Sequence, residues 1–237
     1  MKQEIRPSPE QPQKPAQQAR AEKNLYEPYS TPRVLYELLR AIIIAIFALS
    51  TRLTLRGRYN LPRRGPFIIV ANHLSWMDIP LIPAYIAGKV IYMAKEELFY
   101  GRIGWLVRFL GAFPVKRGEG DRQALRAADA LLKQGKVLIL FPEGTRSKTH
   151  TLGKAHSGIG MIALRAGVPV VPVAIWGSEH ALKKFGARVT IAYDEPIIFK
   201  PKGTKVTRED IDNATEAIMH KIAAMLPPQY RGVYGEE

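Results

Sequence analysis

An α/β fold, a central mostly β sheet flanked by helices with one further helix at the N-terminus, is what this sequence predicts from three observations. From Pro66 onward, short runs rich in β-branched and aromatic residues alternate with segments of helical period, the pattern of strands and helices packed in layers. At 237 residues and 46% hydrophobic content, the chain can bury a substantial core as one main domain. Near the N-terminus, an uncharged apolar stretch is bracketed by arginines and preceded by a polar, proline-rich tract.

Taken in order, residues 1–24 carry Pro7, Pro9, Pro12 and Pro15 among Gln, Lys, Arg and Glu, with too little apolar content to offset the entropy of ordering. A disordered tail is expected there. Residues 25–60 form a helical segment. Its helix begins near Thr31 and Pro32, where threonine can cap and proline suits the first turn, and runs through Ile42, Ile43, Ile46 and Phe47. Only eleven residues separate Arg40 from Arg52, a helix of about 16 Å against a hydrocarbon thickness of roughly 30 Å, so it should not span a bilayer. With Arg33, Arg40, Arg52, Arg56 and Arg58 around it, the segment suits a membrane interface, Ile42, Ile43, Ile46, Phe47 and Leu49 inserting shallowly. The alternative is a helix buried in a soluble core.

Residues 61–237 make up the α/β domain. Strands are expected at 67–71, 90–94, 112–115, 137–141, 170–175 and 189–193. Helices follow at 121–134, where Leu125, Ala128, Leu131 and Leu132 share a face, and at 207–226, which opens with a possible capping box from Thr207 to Asp210.

A formal charge of +14 favours anionic partners: a phospholipid surface, a phosphorylated substrate, an acidic carrier protein or nucleic acid. No recognised nucleic-acid motif or regular aromatic platform accompanies it, so no nucleic acid is expected and phospholipid is the better partner. The absence of cysteine excludes disulfides, thiolate zinc sites and a cysteine nucleophile. The histidines show no spacing suited to a metal, and none is expected. No signal or transit peptide is evident in the first residues.

Four segments carry candidate chemistry. Asn72-His73-Leu74-Ser75-Trp76-Met77-Asp78 follows the apolar run 67–70 and could join a base, His73, to an orienting carboxylate, Asp78; a substrate hydroxyl would then need no protein nucleophile. Gly111-Ala112-Phe113-Pro114-Val115-Lys116-Arg117-Gly118 ends a strand with two cations able to hold an oxyanion. In Phe141-Pro142-Glu143-Gly144-Thr145-Arg146-Ser147, Arg146 can grip a phosphate in a two-pronged hydrogen bond, and Glu143 can hold that arginine or a hydroxyl. Val168-Pro169-Val170-Val171-Pro172-Val173-Ala174-Ile175 is interrupted by two prolines, which argues for an edge strand, a strand start or a pocket wall.

In this order the four segments resemble the sequence blocks of the glycerophospholipid acyltransferase superfamily, above all the bacterial 1-acylglycerol-3-phosphate acyltransferases. The resemblance covers most of 61–193. It implies that His73 is the catalytic base and Asp78 its partner, that Lys116 and Arg117 belong to one glycerophosphate-binding block, and that Glu143, Gly144, Thr145 and Arg146 belong to a second. Lys154, in Gly153-Lys154-Ala155-His156, is a looser match to a basic residue that follows this block.

The activity implied is transfer of a fatty acyl group from acyl-CoA or acyl carrier protein, as co-substrate and without a cofactor, to the sn-2 hydroxyl of a lysophospholipid acceptor, 1-acylglycerol 3-phosphate, giving phosphatidic acid. It would take place at the cytoplasmic face of the cell membrane, on a peripheral or monotopic enzyme. Another lysophospholipid, a lyso-aminolipid or glycerol 3-phosphate would need the same base, and a non-enzymatic basic membrane- or nucleic-acid-binding protein is the remaining alternative.

Overall fold

One seven-stranded sheet organises the chain. The computed structural model describes residues 32–100, 104–109, 111–115 and 122–235; the tail expected over 1–24 and the pair Lys116 and Arg117 lie outside them. Helix α1 (Arg33–Ser50) leads into β1 (Thr51–Arg56), and then follow β2 (Phe67–Ala71), α2 (Asp78–Ala84), β3 (Val90–Lys95), α3 (Gly104–Phe109) and β4 (Ala112–Val115). The second half holds α4 (Arg122–Lys133), β5 (Val137–Leu140), α5 (Gly158–Ala166), β6 (Val170–Trp176), β7 (Ala187–Tyr193) and α6 (Arg208–Met225). Strand order is β1-β7-β6-β2-β5-β3-β4, every pair parallel except β6 with β7.

Side chains alternate across each strand, so each face of the sheet buries its own core. Ile68, Val70, Leu138 and Leu140 pack under α4, α5 and α6 through Ala128, Leu131, Ile162, Ile218 and Ile222. On the other face Phe67, Ile69, Val137, Ile139 and Val171 meet Phe47 of α1 and Leu81 and Ile82 of α2. Near-continuous apolar strands are the signature of a sheet covered on both sides. Helix α5 lies so close to α6 that a Cβ at Gly160 would collide with the Ile211 carbonyl, which is why a glycine stands there.

The capping box is present: the Thr207 hydroxyl accepts from the Asp210 amide at 3.1 Å and the Asp210 carboxylate accepts from the Thr207 amide at 3.0 Å. Three features depart from the sequence reading. Thr51–Arg56 is a strand, paired in parallel with β7, where only helical segment was anticipated. Of the placements expected for the two prolines, Pro169 takes the strand start, immediately before β6, but Pro172 lies inside a central strand and not at an edge: its carbonyl accepts from the Asp194 amide, so its donorless nitrogen faces the point where the β7 ladder ends and costs β2 nothing. On α1, Phe47 is only 3% exposed and Ile43 packs against the core with it, so neither is free to insert into lipid. Ile42, Ile46 and Leu49 are exposed, on an apolar face that also carries Val34, Leu35 and Leu38. No helix among the described residues is long and apolar enough to cross a membrane.

Candidate active site

Because β2 to β6 run parallel, with β4 joined through β3, their C-terminal ends share one edge of the sheet. The antiparallel β7 and its neighbour β1 begin at that same edge. The four motif segments end or turn there, as ligand-bearing loops of parallel sheets do.

Asn72 is the first residue beyond β2 and is fully buried. Its side-chain amide donates to the Ile175 carbonyl at 2.8 Å and accepts from the Ile175 amide at 2.8 Å, an extra rung that fixes where the loop leaves the sheet. His73 follows, and the chain turns back so that Asp78 enters the first turn of α2. His73 Nδ1 and Asp78 Oδ2 lie 2.8 Å apart, and the same oxygen accepts from the Leu74 amide at 2.7 Å and the Ser75 amide at 2.8 Å. An oxygen that accepts three N–H groups is held at one place, and it selects the tautomer with the proton on Nδ1 and the lone pair on Nε2. Phe141, stacked on the imidazole at 4.1 Å and 21° between planes, limits the ring's tilt.

The Glu143 carboxylate accepts from the His73 amide at 3.0 Å and the Gly153 amide at 3.2 Å, so it ties the His73 loop to its own loop, and among the described residues it pairs with no cation. Ser147 strengthens the tie, its amide donating to the His73 carbonyl at 2.8 Å. Gly144 takes a φ of +64°, and a Cβ there would stand 2.8 Å from the His156 ring, so the turn needs glycine. The amides of His73, Leu74, Ser75 and Gly144 are all engaged within the protein, which removes them as donors to a reaction oxyanion.

Burial pushes the Glu143 carboxyl up to about 7; the two amides favour its charged form and the nearby Asp78 opposes it, but desolvation is the largest effect. Between the ordinary value of 4.5 and about 7, the folded protein binds this proton more tightly than the unfolded chain. Glu143 therefore contributes stability that is full below its ordinary range and is lost as pH rises through about 7. Melting temperatures of wild type and Glu143→Gln, compared from acid to mildly alkaline pH, should diverge accordingly, the wild-type protein losing ground relative to the variant as pH rises. A difference that stays constant would show that Glu143 does not titrate in this range.

Arg146 and Thr145 are exposed at the loop tip, and the Arg146 guanidinium stacks over Trp76 at 4.3 Å from the ring centroid. Among the described residues no carboxylate pairs with Arg146, so its N–H fork is free for an anion beside the His73 loop. Lys154 is exposed next to Gly153, whose amide holds Glu143. Val115 brings the chain to the same sheet edge immediately before Lys116 and Arg117. Asn72, Phe141 and Trp76 escaped the sequence reading as site residues because their partners, at 175, 73 and 146, are set by the fold or read as packing. Among the described residues no three metal-ligating side chains converge.

The Acyltransferase family profile matches residues 52–176, which include all but the first residue of β1, the dyad, the Glu143 loop and β6. The 1-acyl-sn-glycerol-3-phosphate acyltransferase of Bacillus subtilis is 30% identical over 184 residues, covering 74% of this chain and 92% of that protein. The lyso-ornithine lipid O-acyltransferase of Pseudomonas aeruginosa is 39% identical over 115 residues, 47% of this chain and 43% of that enzyme, so the chain spans less than half of this relative. Among solved structures, the 1-acyl-sn-glycerophosphate acyltransferase PlsC of Thermotoga maritima aligns with a TM-score of 0.59 and 30% identity over 87% of this chain and 88% of that one. A profile covering more than half of the chain, and a fold shared at this identity, show that the protein belongs to the Acyltransferase family.

Proposed function

We propose that the protein transfers a fatty acyl group from acyl-CoA or acyl carrier protein to the sn-2 hydroxyl of 1-acylglycerol 3-phosphate, giving phosphatidic acid. The observation that carries this reading is the buried His73–Asp78 pair with Nε2 left as the acceptor. His73 Nε2 takes the hydroxyl proton as the acceptor oxygen bonds to the thioester carbonyl carbon. Asp78 steadies the imidazolium that results. Collapse of the tetrahedral species breaks the carbon–sulfur bond, and the proton passes from Nε2 to the departing sulfur, so ester and free thiol form with no acyl-enzyme. Arg146, with Lys116 and Arg117, which follow β4 in the sequence, binds the acceptor phosphate, and Lys154 adds charge at the rim. Fixing that end places the hydroxyl at the base.

The relative that acts on a lyso-ornithine lipid supplies the second reading, a lyso-aminolipid acceptor. Thiol release measured with acyl-CoA and each acceptor in turn decides between them. Release that depends on 1-acylglycerol 3-phosphate, with phosphatidic acid as product, is expected. Release with lyso-ornithine lipid alone would overturn the assignment.

Lipid substrates place the enzyme at a bilayer, on the cytoplasmic face where these donors occur, and the exposed apolar face of α1 is suited to a peripheral or monotopic hold. Replacing Leu38, Ile42 and Ile46 together with serine should cut flotation with phospholipid vesicles by about tenfold or more, since one fully buried aliphatic side chain contributes roughly 1.5–3 kcal/mol. The melting temperature should not change, because all three are exposed. Unchanged flotation would return α1 to a role in the soluble fold.

A further inference from the structure

Between β6 and β7 the chain makes a turn that the acyl-transfer chemistry does not use. Ala181 is buried in the core at its base, and residues 182–185, Leu-Lys-Lys-Phe, are all exposed beyond it. Phe185 is 87% and Leu182 51% exposed. Leu182 has a φ of 62°, a conformation that bulky side chains rarely adopt and that costs roughly 1–2 kcal/mol. The turn is nevertheless well bonded, with the Lys183 and Lys184 amides both donating to the His180 carbonyl at 3.1 Å. A rigid turn that spends conformational strain to hold two apolar side chains in water implies that something covers them.

The occupant is indicated by charge and by position. Lys183 and Lys184 lie between the two apolar residues, and Arg188 and Arg52 stand side by side on the adjoining strands, with Arg52 Nε 4.0 Å from where a Cβ on Gly186 would be. Among the described residues no carboxylate pairs with any of these four cations. The Gly186 amide donates to the Ser50 carbonyl at 2.8 Å, joining the turn to the last turn of α1, where Leu49 is 77% exposed. The turn therefore continues the exposed apolar face of α1 and sits at the sheet edge that carries His73.

We propose that residues 182–185 are a second membrane-contact site, at which Leu182 and Phe185 enter the interface of an anionic phospholipid bilayer while Lys183 and Lys184 meet lipid phosphates. Contact along α1, which crosses one face of the sheet and ends at the active-site edge, together with contact at this turn beyond its end, brings that edge toward the lipid. A single helix would leave it free to roll about the helix axis. This inference rests on the membrane contact proposed for α1.

The chain has no cysteine, so a single one introduced by Phe185→Cys, or separately by Ile42→Cys, takes an environment-sensitive dye at one place. With full-length protein and phosphatidylcholine vesicles containing phosphatidylglycerol, both dyes should shift to the blue. Flotation of Leu182→Asn/Phe185→Ser should fall about tenfold, asparagine being tolerant of positive φ. Lys183→Gln/Lys184→Gln should lose several-fold on anionic vesicles at low salt and nothing at high salt. A shift at 42 with none at 185 would overturn this site and leave the α1 contact standing; no shift at either would remove both. A shift at 185 evoked by acyl carrier protein and not by vesicles would overturn the membrane assignment in favour of donor docking.

Discussion

Folded His73→Ala protein is expected to release thiol about 10²- to 10⁴-fold more slowly than wild type at saturating donor and acceptor, the range a positioned general base contributes. The structure makes this substitution informative because the loop is held through backbone. The His73 amide still reaches Glu143 and its carbonyl still accepts from Ser147, whatever the side chain. What disappears is the ring, with its contact on Phe141 and one of three donors to Asp78. The loss should therefore fall on turnover, with the far-ultraviolet spectrum unchanged and the melting transition still cooperative. Turnover within a few-fold of wild type in folded protein would mean that some other group takes the proton.

Much of the sheet was legible because its strands are buried on both faces and so read as short β-branched runs. The runs at 67–71 and 112–115 form strands β2 and β4. Strand β1 was not legible: apolar helix passes into strand between Ser50 and Thr51 with no glycine or proline to mark the change. The Ser50 and Thr51 hydroxyls instead bond the Ile46 and Phe47 carbonyls at 2.6 Å, ending the helix in a way that two common residues do not advertise. Nor could the sequence tell which apolar residues of α1 face the core. Ile43 and Ile42 are equally suited to lipid by composition, and only the sheet beneath decides that Ile43 packs inward.

The site shows the same division between local and long-range information. His73 and Asp78 lie five positions apart, so one turn suffices to bring them together, and their spacing carried the reading. Glu143 bonds to an amide seventy positions away, a contact created by β2 and β5 pairing side by side, and nothing in its own loop reveals that partner. A carboxylate beside an arginine in sequence suggested an ion pair. The fold turned the carboxylate inward and stacked the arginine outward on Trp76.

Asp78→Asn should separate the electrostatic role of the carboxylate from its role in shaping the loop. Alanine would leave the Leu74 and Ser75 amides without an acceptor in a buried place, at about 1–3 kcal/mol each, so a loss of activity could be a loss of the loop. Asparagine has the same shape. With its oxygen in the Oδ2 position it keeps all three N–H partners, and its NH₂ takes the place of Oδ1, which has no partner among the described residues. The tautomer is then retained, but the negative charge that steadies the imidazolium is gone. If the amide rotates instead, its NH₂ faces His73 Nδ1 and forces the proton onto Nε2, which disables the base. Either arrangement slows the chemical step and leaves both substrate sites intact. The expected result is a kcat lower by about 10²- to 10⁴-fold, by analogy with the aspartate of a serine hydrolase triad, with the KM values for acceptor and donor little changed. Turnover near wild type across the pH range would show that the carboxylate only shapes the loop, whereas raised KM values at unchanged kcat would move Asp78 from the reaction to substrate binding.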